Sequence, residues 1–432
     1  MKIAVIGAGI SGLVAALRLQ ERHDVVLLEA GNYAGGHTHT HQVLLDGQMR
    51  AVDSGFIVFN TRTYPHFCSL LDELGVPSQP TNMSFSVRCD RSGLEYAGTG
   101  LGGLFAQRRN LLSPRFYRLL ADWFRFNRHA QQLLGNPDAL DEEMTIGEFF
   151  TRNPYSKAFR ECYFLPLGSA VWSSPRQAFE QFPIRFVMEF YKNHGMLSLP
   201  GNFPWRVIQG GSRQYVEATL RRLREPVRLN SPVVAVRRRQ DHLHVHVVGH
   251  GPEEFDHVVF ACHSDQALRM LGESATSVER ELLSKFPYQR NSAVLHTDES
   301  VMPRSQRAWA SWNYHLPADN ADSATVTYDM TRLQRLGTKQ RVFVTLNADE
   351  RIHPDRILQR MVYHHPIFHA GRGSAQRRHG ELLDHHGASF CGAYWGNGFH
   401  EDGVVSALAA CRALLMPCSS HSPALVASTI HS

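Results

Sequence analysis

Residues 1–40 constrain the fold of this chain more than any other stretch. Ile3–Ile6 is a short apolar run, the composition of a buried parallel strand. Gly7, Gly9 and Gly12 follow at once in the spacing G-x-G-x-x-G. The first glycine permits a tight turn. The second, followed by Ile10 and Ser11, lets a pyrophosphate approach the backbone. The third lets the next helix pack closely on the strand. That helix offers free N–H groups and a partial positive charge to phosphates. A second strand, Val25–Leu28, ends at Glu29, about 20 residues past the glycines, where an acid accepts hydrogen bonds from a ribose. A lone glycine fingerprint is a weak signal. Strand, turn, helix, second strand and terminal acid in order make a dinucleotide site the expectation.

A chain of 432 residues with 43% hydrophobic content points to two interlocked domains with a large core. No run nears the roughly 20 unbroken apolar residues that span a bilayer. The chain opens on a strand rather than a secretory signal, so the cytoplasm is the expected compartment. The seven cysteines are scattered and include no C-x-x-C, which argues against a disulfide framework or a zinc site. A net charge of +5 is too mild to suggest nucleic acid. Two histidine sets alternate, His37, His39, His41 and His242, His244, His246. Each set falls on one strand face. Solvated strand faces are expected, and no metal site.

Further along, Asp46-Gly47 marks a hairpin, and Tyr64 to Leu74 reads as a helix stopped by Gly75 and Pro77. Phe85, Val87, Leu94 and Tyr96 form a second hairpin. Ser113 and Pro114 start a helix that interleaves Arg108, Arg109, Arg115, Arg118, Arg125 and Arg128 with Tyr117, Trp123, Phe124 and Phe126. Such a helix either covers a domain or contacts a membrane surface through 108–128. Residues 145–205 are helical and rich in large apolar side chains, with a break at Pro166, which suits the wall of an apolar pocket. A three-stranded meander and a closing parallel strand follow up to Phe260. Strands are expected at Ala293–His296, Ala308–Tyr314, Thr325–Tyr328 and Val342–Leu346. Gly403 opens a last helix, Val404 to Leu415, and a flexible tail follows from 417 to 432.

Gly35-Gly36 with His37-Thr38-His39-Thr40 lies just past Glu29-Ala30, and Val52-Asp53-Ser54-Gly55-Phe56-Ile57 follows. Further motifs are Leu165-Pro166-Leu167 through Pro175, Gly210-Gly211-Ser212, and Gly392 through Gly403. In these stretches the chain resembles the FAD-dependent amine oxidase and phytoene desaturase superfamily. The nearest likeness is a bacterial branch of predicted NAD/FAD-binding proteins linked to cyclopropane-fatty-acid synthase. The resemblance implies an α/β fold, with a Rossmann-like, glutathione-reductase-like FAD domain at 1–80, 205–290 and 386–416. It is interleaved with an α+β substrate domain on a mixed sheet at 81–204 and 291–385. The implied FAD contacts are Gly7, Gly9, Ile10, Ser11, Gly12, Glu29 and Ala30, then Gly35, Gly36, His37, Thr38, Gly55, Phe56 and Ile57. Val233 falls at the adenine end, and Gly392, Asp402, Gly403 and Val404 close the site. Cys391 lacks the context of a covalent flavin link, so FAD is expected to be non-covalent.

In amine oxidases of this superfamily a lysine usually sits near flavin N5. Ser292–Thr297 takes that strand's place here, with His296 as the candidate substitute. Tyr394 and Trp395 fall near the aromatic sandwich of amine oxidases, and Trp172 and His194 join them as candidate pocket residues. No second dinucleotide fingerprint, P-loop or serine elbow is present. The preferred expectation is an FAD oxidoreductase acting on carbon–carbon bonds of an apolar, fatty-acyl substrate. An amine oxidase, a double-bond isomerase and a non-turnover lipid-binding protein are the alternatives. The sequence leaves oligomeric state and electron acceptor open.

Overall fold

A computed structural model describes residues 1–197, 203–318 and 325–415; the expected tail at 417–432 lies outside them. Ile3–Ile6 is fully or nearly fully buried, as a strand covered on both faces must be. It is central in a four-stranded parallel sheet ordered Ala388–Phe390, His257–Phe260, Lys2–Ile6, Asp24–Leu28. The first helix, Ile10–Leu19, packs on one side against the last, His400–Leu415, in a core that includes Leu13, Leu17, Val404 and Ala407. The expected meander, Val233–Arg238, Leu243–Val247 and Glu253–Phe255, covers the other side through Val236, Leu243 and Val245. On the meander's outer face His242, His244 and Glu254 bring ligand-type atoms within 4.8 Å of one another.

A seven-stranded mixed sheet forms the second layer. Its order is Ile357–Pro366, Tyr288–His296, Phe343–Leu346, Thr325–Asp329, Trp312–Leu316, Phe85–Cys89, Leu94–Ala97. Every pair is antiparallel except Trp312–Leu316 with Phe85–Cys89. Helices between 101 and 193 build an aromatic core around Phe126, Phe149, Phe164 and Phe179. The long helix Pro114–Leu134 starts as expected, with Ser113 Oγ accepting the Phe116 N–H at 3.3 Å. Such a cap is worth about 1 kcal/mol. Thr145 and Glu148 form a reciprocal capping box on the helix Ile146–Arg152. No helix among the described residues is long and apolar enough to cross a membrane.

Three local expectations are corrected. The strand expected from Ala308 begins at Trp312, because Asn313 Oδ1 accepts the Ala310 N–H and holds 310–313 in a turn. Pro166 does not break a helix. It is the second residue of Leu165–Trp172, where its missing N–H costs little, and a π-helical turn at Arg160–Phe164 precedes it. The last helix begins at His400, so Gly403 lies inside its first turn. There Asp402 Oδ2 accepts the Phe399 N–H at 2.9 Å and steadies the helix start.

Candidate functional site

The glycine turn has the geometry its spacing demands. Gly7 has φ +102°, and a Cβ there would lie 2.7 Å from the Ala261 carbonyl oxygen. A Cβ on Gly12 would lie 1.8 Å from the Gly7 carbonyl oxygen, so helix and strand touch backbone to backbone. Around Gly9 no atom would stand within 4 Å of a Cβ. Glu29 follows the second strand and is held by two backbone donors. The Ala8 N–H reaches Oε2 and the Gly31 N–H reaches Oε1, both at 2.8 Å. The carboxylate is thereby fixed beside the turn with lone pairs left for further donors.

A cavity of about 860 Å³ starts at this turn and runs between the parallel sheet and the mixed sheet. It brings together most of the sequence-derived candidates. Gly7, Gly9, Ile10, Ser11, Glu29 and Ala30 line its first part. Gly35, Gly36, His37, Gly55, Phe56 and Ile57 line its middle, with Val233 and Gly392. Tyr394, Trp172 and His194 line it farther on.

Seven candidates stand outside the lining. Gly12 is consumed by its contact with Gly7. Thr38 turns inward, its Oγ1 2.5 Å from Tyr215 Oη and 3.0 Å from His400 Nε2. Asp402 is half-buried in its cap, and desolvation there pushes its pKa up to about 6. Gly403 and Val404 pack against the first helix. Trp395 stacks on His379, with centroids 4.2 Å apart, and faces Phe286 rather than the cavity.

His296 is the seventh, and it is corrected as a catalytic candidate. It is fully buried in the mixed sheet. Its Nδ1 accepts the Asp298 N–H at 3.1 Å, so Nε2 carries the proton and donates to Thr345 Oγ1 at 2.7 Å. Burial pulls its pKa down to about 4. It is a neutral, fully engaged cross-strand tie.

The site holds residues that sequence reasoning passed over. His263, His364, His365 and His400 line the cavity with His37. His400 stacks on Phe56 with centroids 3.4 Å apart, and His263 stacks on Tyr288 at 4.1 Å. Burial lowers His37 to about 4 and His263 to about 3. It also lowers His365 and His400 well below the ordinary imidazole value. Burial thus keeps His37, His263, His365 and His400 neutral at ordinary pH. Asp53, also missed, braces the site from behind. Its carboxylate accepts from Thr40 Oγ1, the Ser212 N–H and Oγ, and Gln334 Nε2. Val52–Gly55 and Gly210–Ser212 were both visible as motifs; their junction at Asp53 was the signal.

The far end of the cavity is aromatic. Trp172, Phe190, Trp312, Tyr328 and Phe368 line it with His194. His194 stacks on Phe190 at 3.8 Å and has its pKa lowered to about 4 by burial. Among the described residues, the lining includes just one acidic side chain, Glu29, and one arginine, Arg269, and no lysine. Arg269 lies on the helix Ser264–Leu271, which packs against the meander strand bearing Val233.

A flavin dinucleotide fits this donor set. The backbone is bare at Gly9, Glu29 is poised as an acceptor, and His37 Nε2 and Tyr394 Oη are buried without protein partners. Cys391 is fully buried outside the lining, and burial pushes its thiol pKa far up.

The model of the flavin containing amine oxidoreductase family matches residues 10–415. The chain is similar to the flavin-dependent L-tryptophan oxidase RebO of Lentzea aerocolonigenes, 28% identical over 290 residues. The match covers 60% of this chain and 57% of that protein, so it spans little more than half of the relative's length. Two solved structures share the fold. Cyclohexylamine oxidase from Brevibacterium oxydans IH-35A aligns with TM-score 0.68 and 16% identity, over 96% of this chain and 98% of that one. A fatty acid isomerase from P. acnes aligns with TM-score 0.67 and 17% identity over the same shares.

Proposed function

The chain belongs to the flavin-containing amine oxidoreductase family, and from that premise we propose an FAD-dependent oxidoreductase acting on a carbon–carbon bond of an apolar, fatty-acyl chain. FAD, the cofactor expected of the family, supplies hydride chemistry when bound, and the protein supplies position and electrostatics. Glu29, held by the Ala8 and Gly31 N–H groups, would accept from the ribose hydroxyls. The bare backbone at Gly9 would leave room for the pyrophosphate, and Val233, in the same lining, would stand at the adenine end. His37 Nε2 and Tyr394 Oη offer hydrogen bonds inside the cavity.

One observation carries the substrate class. The far end of the cavity is walled by aromatic and aliphatic side chains, and its described lining offers no carboxylate to receive an ammonium group. His194, lowered to about 4, adds no charge there. A neutral hydrocarbon chain loses no solvation on entering such a site, whereas an unpaired cation loses much.

Amine oxidation is the second reading, favoured by the tryptophan oxidase relative. Product analysis separates the two. The yellow protein is incubated with phospholipids and free fatty acids, and the acyl chains are examined by mass spectrometry for gain or loss of two hydrogens or a moved double bond. Any of these supports acyl chemistry, the moved bond marking an isomerase. Peroxide released with amines, and unchanged acyl chains, overturns it.

A further inference from the structure

A second cavity, of about 840 Å³, shares no lining residue with the first. Its walls carry Arg91, Arg115, Arg118, Lys157 and Arg176 against a single acid, Glu161. Lys157 and Arg176 share that acid at 3.8 and 3.4 Å. Arg115 and Arg118 reach no carboxylate within 4 Å among the described residues. Like charges gathered in one concave site repel one another unless an anion enters. Pro114, the first residue of a 21-residue helix, also lines the cavity, so the helix's positive end adds to this field.

Beside this cavity, the two residues before the Ser113 cap are exposed apolar side chains. Leu112 is 87% exposed, the most exposed large apolar side chain among the described residues. Leu111, Tyr117 and Phe124 are also exposed, and Tyr117 Oη donates to the Leu111 carbonyl at 3.0 Å. On the long helix, Tyr117 and Phe124 are seven residues apart and share a face, Arg118 lies about 100° round from Tyr117, and Arg115 lies on the far side. Phe116, Leu119, Phe126 and Ala130 fill the opposite, buried stripe. The start of this helix thus presents exposed leucines next to arginines that no carboxylate neutralises among the described residues.

We propose that this cavity and the exposed leucines beside it form a docking surface for a bilayer carrying anionic phospholipids, with a lipid phosphate seated among Arg91, Arg115 and Arg118. Leu111 and Leu112, at the helix start, then enter the headgroup–acyl boundary. Charge complementarity selects this occupant. A bilayer presents anions and hydrocarbon at the depth separation that one amphipathic surface can meet together. The surface is independent of the flavin site, so the proposal stands or falls apart from the reaction assigned above.

The test is co-sedimentation of the full chain with vesicles of phosphatidylcholine alone, or with about one third phosphatidylglycerol. Wild type is expected to partition onto the anionic vesicles and to release with salt. Arg115→Glu/Arg118→Glu and, separately, Leu112→Asp should each weaken partitioning about tenfold or more. These side chains are exposed, and unchanged flavin absorbance and melting temperature verify the fold. The proposal is overturned if wild type ignores the anionic vesicles, if both variants partition like wild type, or if inorganic phosphate binds the cavity while vesicles do not.

Discussion

Ser11 Oγ donates to the carbonyl of Gly403 at 2.9 Å, joining the first turn of the first helix to the first turn of the last. A Cβ on Gly403 would lie 2.8 Å from Ile10 Cγ2 and 3.0 Å from Ser11 Oγ. Ile10 and Ser11 line the cavity where the pyrophosphate is proposed to lie. Gly403→Val should therefore cost about 1–3 kcal/mol by overpacking and also loosen the cofactor. Thermal unfolding and flavin content of the purified variant measure both. A variant that melts with wild type and keeps all its FAD would show that this contact governs neither.

Glu29 makes a sharper test of the cofactor end. Glu29→Ala removes the ribose acceptor and strands the Ala8 and Gly31 N–H groups. Each lost charge-assisted bond is worth about 1.5–3 kcal/mol, so FAD affinity should fall roughly ten- to a hundredfold. Flavin fluorescence during titration of the apoprotein reads the change. Unaltered affinity contradicts the role given to Glu29.

His296 supplies the converse case. Its two nitrogens are spent on Asp298 and Thr345. His296→Ala should lower stability by about 1–3 kcal/mol and leave the kcat/KM of flavin reduction by substrate within error. A large loss of kcat/KM in a stable, FAD-loaded variant would restore its catalytic candidacy.

The buried imidazoles set the response to acid. His37, His41, His194, His257, His296 and His379 are lowered to about 4, and His263 to about 3, from an ordinary 6.5, in each case mainly by burial. A folded pKa below the unfolded one means stability that is complete above pH 6.5 and lost as pH falls toward 4. Asp53 and Asp402 act oppositely. Burial raises them from 3.8 to about 6, so they favour the fold as pH drops through that range. The imidazoles outnumber the carboxylates, so the melting temperature should fall between pH 6.5 and 4, with proton uptake on unfolding. Calorimetry across that range checks it; a melting temperature that is flat or rises contradicts it.

The dinucleotide end was legible because its information is local. Gly7, Gly9, Gly12 and Glu29 lie within 23 residues, and each spacing maps to one turn, helix or strand end. The histidine belt was not legible. His37 meets Tyr363 and His365 at 5.2 Å only because the strand Ile357–Pro366 pairs at the edge of the mixed sheet. No periodicity announces a contact between residues so far apart in the chain. Tyr394 and Trp395 are neighbours in a 3₁₀ turn that sends one ring to the cavity and the other to His379. A motif match sees the pair and misses the turn. His296 fell on the expected strand, but strand alternation alone does not tell which neighbour fills each face.

The central claim is that the glycine turn and Glu29 hold FAD while the aromatic end admits a neutral acyl chain. The most direct measurement is anaerobic. The flavin band near about 450 nm is followed as phospholipids or fatty acids, and then amines, are added to wild type and to Trp172→Ala. Bleaching by an acyl chain, slowed or weakened by Trp172→Ala, with amines inert, is the predicted result. Bleaching by amines alone would contradict the substrate assignment and leave the family's amine chemistry as the account of the site.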